Sequence, residues 1–342
     1  MSLKTAVIGV GSMGVNHARV YWELPGSELV GISDMNDNLV NSVAKKYSTR
    51  AYTDYRVMLD EVKPDVVTVA VPTLYHREVA LEIIDRGISL LIEKPIAFDL
   101  DEGKKIITAA EAKGVKLMIG HIERFNPAII ALKQQVASGE LGRIFQMDAH
   151  RQGPFPARIA DVGVVIDLAV HDLDIMRYVS QQEVVRLYAE TEKHIHSKYE
   201  DLLTGLVRMS DGAIGTLTIN WLTPTKIREF IVTGERGLYR VDLLTQDLYM
   251  FENAVTHSSE WETMQILRGV REGKMTRFVI PKKEPLRAEQ EAFLDAVQNN
   301  TAVPIPGEDG LKALELAKAV VESGAEHMTL EFAALTPGQI RS

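Results

Sequence analysis

Residues 5–10 (TAVIGV) form an apolar run that leads straight into Gly9-Val10-Gly11-Ser12-Met13-Gly14 and then into a helix-like segment at 13–24. No other stretch constrains the fold as much. A strand that ends in G-x-G-x-x-G and reopens as a helix describes the first turn of a parallel α/β unit. In such a turn Gly9 permits the reversal, Gly11 lets a pyrophosphate approach the backbone, and Gly14 allows close helix–strand packing. Ser12 and Met13 complete the loop, and the helix N-terminus supplies N–H donors to an anion. A plain strand–helix turn would use the same glycines, but the flanking strand and helix favour a dinucleotide.

The pattern continues. Apolar runs at 28–33 (ELVGIS), 66–71 (VVTVAV), 89–92 and 116–119 alternate with helical stretches near 38–47, 54–62, 76–86 and 100–113. Continuous apolar strands separated by helices predict a doubly wound parallel sheet covered on both faces. Asp99 with Glu102 resembles a capping box, and Gly87 and Gly114 stand where helices stop. After residue 122 the pattern changes. Helices are expected at 126–138 and 165–179, and an extended segment at 143–151 precedes a Gly/Pro-rich loop, GPFPARI. From 184 to 251 short strands follow one another, with turns at Asp211-Gly212 and around Gly234 and Gly237, which predicts a large, mainly antiparallel open-faced sheet. Helices at 286–298 and 309–324 close the chain. The expected organisation is a dinucleotide-binding α/β domain at 1–122 and an α+β domain at 123–342, which suits 342 residues.

Composition excludes several chemistries. There is no cysteine, so disulfides, thiolate zinc sites and thiol catalysis are ruled out. The net charge of −9 argues against nucleic acid as a partner. No apolar run has the length of a membrane span, and the N-terminus lacks a secretory signal pattern, so a cytoplasmic protein is expected.

Candidate site residues cluster at strand ends, where open parallel sheets place ligands. Asp34 ends the second strand, twenty positions after Gly14. A carboxylate there can accept from both ribose hydroxyls and repels a 2′-phosphate, which favours NAD over NADP. It could equally cap the next helix. The third strand exits as Val71-Pro72-Thr73, followed by His76, which reads either as a cofactor contact or as helix surface. The fourth exits as Glu93-Lys94-Pro95. Burial would lower the pKa of Lys94 into a catalytic range, and its ammonium could donate to a substrate oxygen. The bland alternative is a surface pair with Glu93. In DLAVHDLD, residues 167–174, Asp167 and His171 share a helical face with Asp174, while Asp172 points elsewhere. His194 and His196 form an H-x-H that could be a metal pair or an exposed strand end; no metal site is expected, and the Asp167/His171/Asp174 face is not read as one.

The order GVGSMG, Asp34, AVPTLYH, EKP, GHIERFNP and DLAVHDLD resembles the glucose-fructose oxidoreductase/inositol dehydrogenase/MocA family. The likeness extends to EPL at 284–286 and the helix after Asp309. It implies an NAD(P)-dependent dehydrogenase whose active site holds Lys94, Asp167 and His171; His171, oriented by Asp167, is read as the acid/base and Lys94 as polarising the same substrate oxygen, with Lys94 as the alternative proton carrier. His121 stands where the family often has Asn, beside the cofactor. GHIERFNP together with the segment leading to DLAVHDLD is similar to the nucleotide-sugar branch, which acts on the 3-hydroxyl of UDP-N-acetylglucosamine-type sugars. On that reading Arg124, Asn126, Arg151 and Arg158 bind substrate, the arginines forking onto a diphosphate, although each arginine could instead be a structural ion pair. Free-sugar or inositol oxidation, and a non-catalytic dinucleotide sensor, are the alternatives. Another subunit could cover the open sheet face, and the resemblance implies a homodimer or homotetramer built this way, with 123–342 as the substrate-binding and oligomerisation domain.

Overall fold

Strands β1 (Leu3–Ile8), β2 (Ser27–Ser33), β3 (Ala51–Tyr52), β4 (Val66–Val69), β5 (Ser89–Glu93) and β6 (Leu117–Gly120) pair in parallel in the order β3-β2-β1-β4-β5-β6. The computed structural model describes residues 2–156, 162–254 and 272–332. Helices α1 (Gly14–Glu23), α2 (Asp37–Tyr47), α3 (Tyr55–Val62), α4 (His76–Asp85) and α5 (Leu100–Lys113) alternate with these strands. Every residue of β4 and β6 is buried, which is why they read as unbroken apolar runs rather than alternating ones. The helix punctuation acts as expected for α5: Asp99 Oδ1 accepts from Glu102 N at 2.8 Å, and Gly114 ends the helix at φ +66°. The two-residue β3 was too short to read from pattern.

In the second sheet nine strands run in the order β14-β13-β12-β11-β7-β10-β9-β8-β15. They are β7 (Ile144–Pro154), β8 (Val184–Glu192), β9 (Leu202–Met209), β10 (Ile214–Asn220), β11 (Leu222–Gly234), β12 (Gly237–Asp242), β13 (Asp247–Asn253), β14 (Glu272–Arg277) and β15 (Leu330–Glu331). Only the β10–β7 pairing is parallel among those described; the others are antiparallel. Gly153 and Pro154, expected in a loop, still belong to β7. Burial alternates along β9, with Leu203, Gly205, Val207 and Met209 inward, so one face of the sheet is covered by its own unit, with α6 (Pro127–Ala137) and α7 (Val170–Ser180) among its helices.

The chain forms two compact units, Met1–Phe125 with Lys283–Glu315, and Asn126–Lys282 with Leu316–Ser342. This corrects the expectation that everything after 122 belongs to the second domain. Helix α8 (Pro285–Gln298) and the first part of α9 (Gly307–Glu326) fold with the parallel sheet. The reason is burial: Leu286, Phe293, Leu294, Ile305 and Leu314 join the core of the first unit. Each such side chain contributes about 1.5–3 kcal/mol when removed from water. A Cβ on Gly103 of α5 would sit 2.7 Å from Leu311, so that glycine lets α5 and α9 approach closely.

Candidate active site

The glycine loop has the geometry its sequence predicts. Gly9 adopts φ +85°, and a Cβ there would lie 2.6 Å from Ala70 O; on Gly14 it would lie 1.8 Å from Gly9 O. Gly11 differs: a Cβ there meets nothing within 4 Å. The open space is at the glycine assigned to pyrophosphate approach. Met13 precedes α1 without a side-chain cap, and the first turn holds no acidic residue, so its N–H donors suit an anion. Asp34 Oδ2 accepts from Val10 N at 2.9 Å, and Oδ1 from Asn36 N at 2.9 Å. Asp34 therefore does not cap α2; Asn36 does, accepting from Leu39 N at 3.1 Å. Each carboxylate oxygen has a second lone pair, which suits the two ribose hydroxyls. These residues fit NAD. Asp34→Ser should raise the Kd for NAD about tenfold, the loss of a charge-assisted pair, with a smaller change for NADP. Equal changes in paired titrations would contradict this.

At the neighbouring strand ends, Glu93 pairs in register with Gly120, which brings Lys94 and His121 to the same edge. Lys94 is half-buried, and His121 is buried. Val71, Pro72 and Thr73 line the exit of β4. His76 is 1% exposed, which overturns the helix-surface reading. Its Nδ1 lies 2.9 Å from Pro95 O and its Nε2 2.9 Å from Val71 O, and a neutral ring, with one N–H, donates to one of these two carbonyls at a time. Burial holds its pKa below the ordinary histidine value, while the two carbonyls pull the other way.

Beneath Lys94 lies a buried polar group that no motif announced. His17 Nε2 is 2.7 Å from Glu93 Oε1, and Gln290 Nε2 is 2.8 Å from His17 Nδ1. Glu289 is wholly buried, with neither carboxyl oxygen hydrogen-bonded among the described residues. Burial, then the charge on Glu93, raises its pKa well above the ordinary carboxyl value. Burial pushes Glu93 up as well, but the His17 hydrogen bond and nearby positive charges outweigh it and hold Glu93 low. Glu93 is the carboxylate and Glu289 the acid. Folding therefore takes up a proton at Glu289. Its contribution to stability is complete below the ordinary Glu range and is lost as pH rises towards the raised value. The expected result is that Glu289→Gln removes a loss of up to ~1.4 kcal/mol per pH unit above pH ~5. Parallel stability–pH curves for the two proteins up to pH ~8 would contradict it.

In the second unit, Asp167 lies in a π-helical turn, Val165–Ala169, that runs into α7. The N–H of Val170 bonds to Val165 O, so the strict α spacing assumed from sequence is widened by one residue there. Asp167 is half-buried, and His171 is 9% exposed. Asp172, expected to point elsewhere, is buried and receives Arg151 in a fork: Nε to Oδ2 at 2.7 Å and Nη2 to Oδ1 at 3.0 Å. This gives Arg151 a structural partner, the ion-pair reading of this arginine. Arg124 likewise pairs with Asp309 at 2.7 Å within the first unit. Asn126 is a helix cap: Oδ1 accepts from Ala128 N at 3.1 Å, and Nδ2 donates to Leu243 O at 3.0 Å. Asn before Pro127 is itself a helix-start signal, which could have identified this role. Arg158 lies outside the described residues. His196 Nδ1 accepts from Lys198 N and Tyr199 N at 3.1 and 3.0 Å, so the H-x-H is held by its own loop. Among the described residues no cluster of His, Asp and Glu could hold a metal ion.

The 3-2-1-4-5-6 order, the open glycine loop and the Asp34 carboxylate define a dinucleotide-binding enzyme. Known proteins narrow the class. Residues 3–121 match the model described as oxidoreductase family, NAD-binding Rossmann fold, and residues 129–240 match the GFO/IDH/MocA C-terminal domain. The chain belongs to this family of NAD(P)-dependent dehydrogenases, with NAD as cofactor. UDP-N-acetylglucosamine 3-dehydrogenase of Acidithiobacillus ferrooxidans is 30% identical over 318 residues, 93% of this chain and 96% of that protein. Its solved structure has a TM-score of 0.82 at 28% identity, covering 94% of this chain and 97% of that one. Inositol 2-dehydrogenase of Rubrobacter xylanophilus is 26% identical over 71% of this chain and 72% of its own. An oxidoreductase of Agrobacterium radiobacter, solved with NAD+, L-tartaric acid and magnesium, shares the fold at TM-score 0.84 and 22% identity, covering 97% of this chain and 98% of that one. Among the described residues no helix is long and apolar enough to cross a membrane.

Proposed function

We propose that this enzyme oxidises a secondary hydroxyl of a sugar to a ketone, and that its substrate is a UDP-N-acetylglucosamine-type nucleotide sugar oxidised at the 3-hydroxyl. The observation that carries the substrate is the near full-length likeness to the Acidithiobacillus enzyme in both sequence and structure. Arg124 and Arg151 do not contribute to this reading, because Asp309 and Asp172 hold them.

NAD+ supplies the hydride acceptor. The carbinol C–H bond breaks with its electron pair, the O–H bond loses its proton, and a C=O bond forms. His171 takes the proton, Asp167 orients the imidazole, and Lys94 donates to the same oxygen as negative charge builds on it. Ser12 and the N–H groups at the start of α1 would hold the pyrophosphate of NAD.

The test is absorbance at 340 nm with purified enzyme, NAD+ and UDP-N-acetylglucosamine. Turnover of myo-inositol or glucose with UDP-sugars ignored would overturn the substrate and favour the inositol branch, to which the Rubrobacter relative points. The protein works inside the cell as a homo-oligomer built on the outward face of the second sheet, where Leu206 and Ile214 are exposed on adjoining strands. Light scattering that gives a monomer mass would contradict this.

A further inference from the structure

We propose that His17 is a positioning residue for the dehydrogenase reaction: with Gln290 behind it and Glu93 in front, it fixes the backbone that carries Lys94. The proposal rests on Lys94 acting in the chemistry, as set out above. Three elements of the first unit meet here. Gln290 comes from α8, His17 from α1 and Glu93 from the end of β5.

The direction of each bond follows from the donors available. An amide nitrogen only donates, so Gln290 Nε2 donates to His17 Nδ1 at 2.8 Å, and also to His17 O at 3.2 Å. The ring proton is then on Nε2, which donates to Glu93 Oε1 at 2.7 Å. The other carboxylate oxygen, Oε2, accepts from the backbone N–H of Lys94 at 3.3 Å. The line runs unbroken from a helix late in the sequence to the main chain of the reactive lysine. His76 Nδ1 lies 2.9 Å from Pro95 O in the same loop.

His17 and Gln290 are fully buried. Apolar side chains of similar volume would fill such a core without the desolvation cost of polar ones. Packing alone does not account for a histidine, an amide and a carboxylate in series. Orientation of the Lys94 loop does. A displacement of about 1 Å at a reacting group can cost a hundredfold in rate.

The experiment compares His17→Leu, His17→Gln and Gln290→Leu in the full-length enzyme. Glutamine at 17 can accept from Gln290 and donate to Glu93; leucine can do neither. His17→Leu should lower kcat at least about tenfold with KM for NAD+ within about twofold, measured well below its melting temperature, which should fall because buried Glu93 loses its partner. His17→Gln should recover most of the rate. Gln290→Leu removes the outer link alone and should give a smaller loss of the same kind. Hydrogen exchange of the amides at 94–98, followed by mass spectrometry, needs no substrate. Exchange should quicken in His17→Leu and not in His17→Gln. Unchanged exchange and turnover in His17→Leu, or losses that simply follow the melting temperature in all three variants, would overturn the assignment. Absence of UDP-N-acetylglucosamine turnover by the unmodified enzyme overturns the substrate reading instead, and the exchange comparison still decides this one.

Discussion

Lys94→Ala is expected to lower kcat more than about a hundredfold while leaving the fold and NAD affinity intact. The lysine follows β5, at the carboxyl edge of a parallel sheet, where ligands bind. Its side chain is half-buried, and alanine removes no packed core residue. The loss should therefore appear in the chemical step. A hydrogen-bond donor to the developing oxyanion and a proton-transfer partner each contribute on this scale. Circular dichroism and NAD titration establish that the variant is folded. Single-turnover rates then give the effect on chemistry. Near-normal turnover would remove Lys94 from the site.

Arg151→Met should destabilise the second unit by about 3–5 kcal/mol, because it leaves Asp172 buried without its guanidinium. The side chains of the pair are 4% and 2% exposed, so solvent cannot substitute for either partner. Replacing both residues, Arg151→Met with Asp172→Leu, should restore most of the stability, since a buried ion pair is often no better than apolar side chains of equal volume. Denaturant unfolding of the two variants measures this. A single variant of near-normal stability that binds UDP-sugar poorly would return Arg151 to the diphosphate.

The contrast between these two residues shows what the sequence could convey. The place of Lys94 at a strand end was legible because it depends on local facts, an apolar run, a strand end and a Pro, whereas its role was read from the family resemblance. The glycine loop and Asp34 were legible for the same reason. Arg151 stayed open between a structural ion pair and a diphosphate contact because its partner lies on a different element, and nothing in an isolated arginine distinguishes a buried fork from a phosphate ligand. Glu93 and Gln290 lie 76 and 273 positions from His17, and no periodicity links them. The return of Lys283–Glu315 to the first unit was hidden for a related reason. An amphipathic helix declares that it has an apolar face, not which sheet that face covers. The π-helical turn at Asp167 was invisible because one extra residue in a turn leaves the hydrophobic pattern almost unchanged. β14 and β15 are short edge strands whose pairing, not whose composition, makes them strands.

That return has a consequence for how the chain matures. On the ribosome the dinucleotide-binding half emerges first, yet Phe293, Leu294, Ile305 and Leu314 of its core emerge only after the whole of the intervening sheet. Until then the α1 side of the parallel sheet lacks α8, and His17 lacks Gln290. Contacts at such long sequence separation form late and slowly. The first half to be made is thus the last to be finished. A nascent chain halted before residue 283 would present an apolar surface to chaperones in place of a cofactor site.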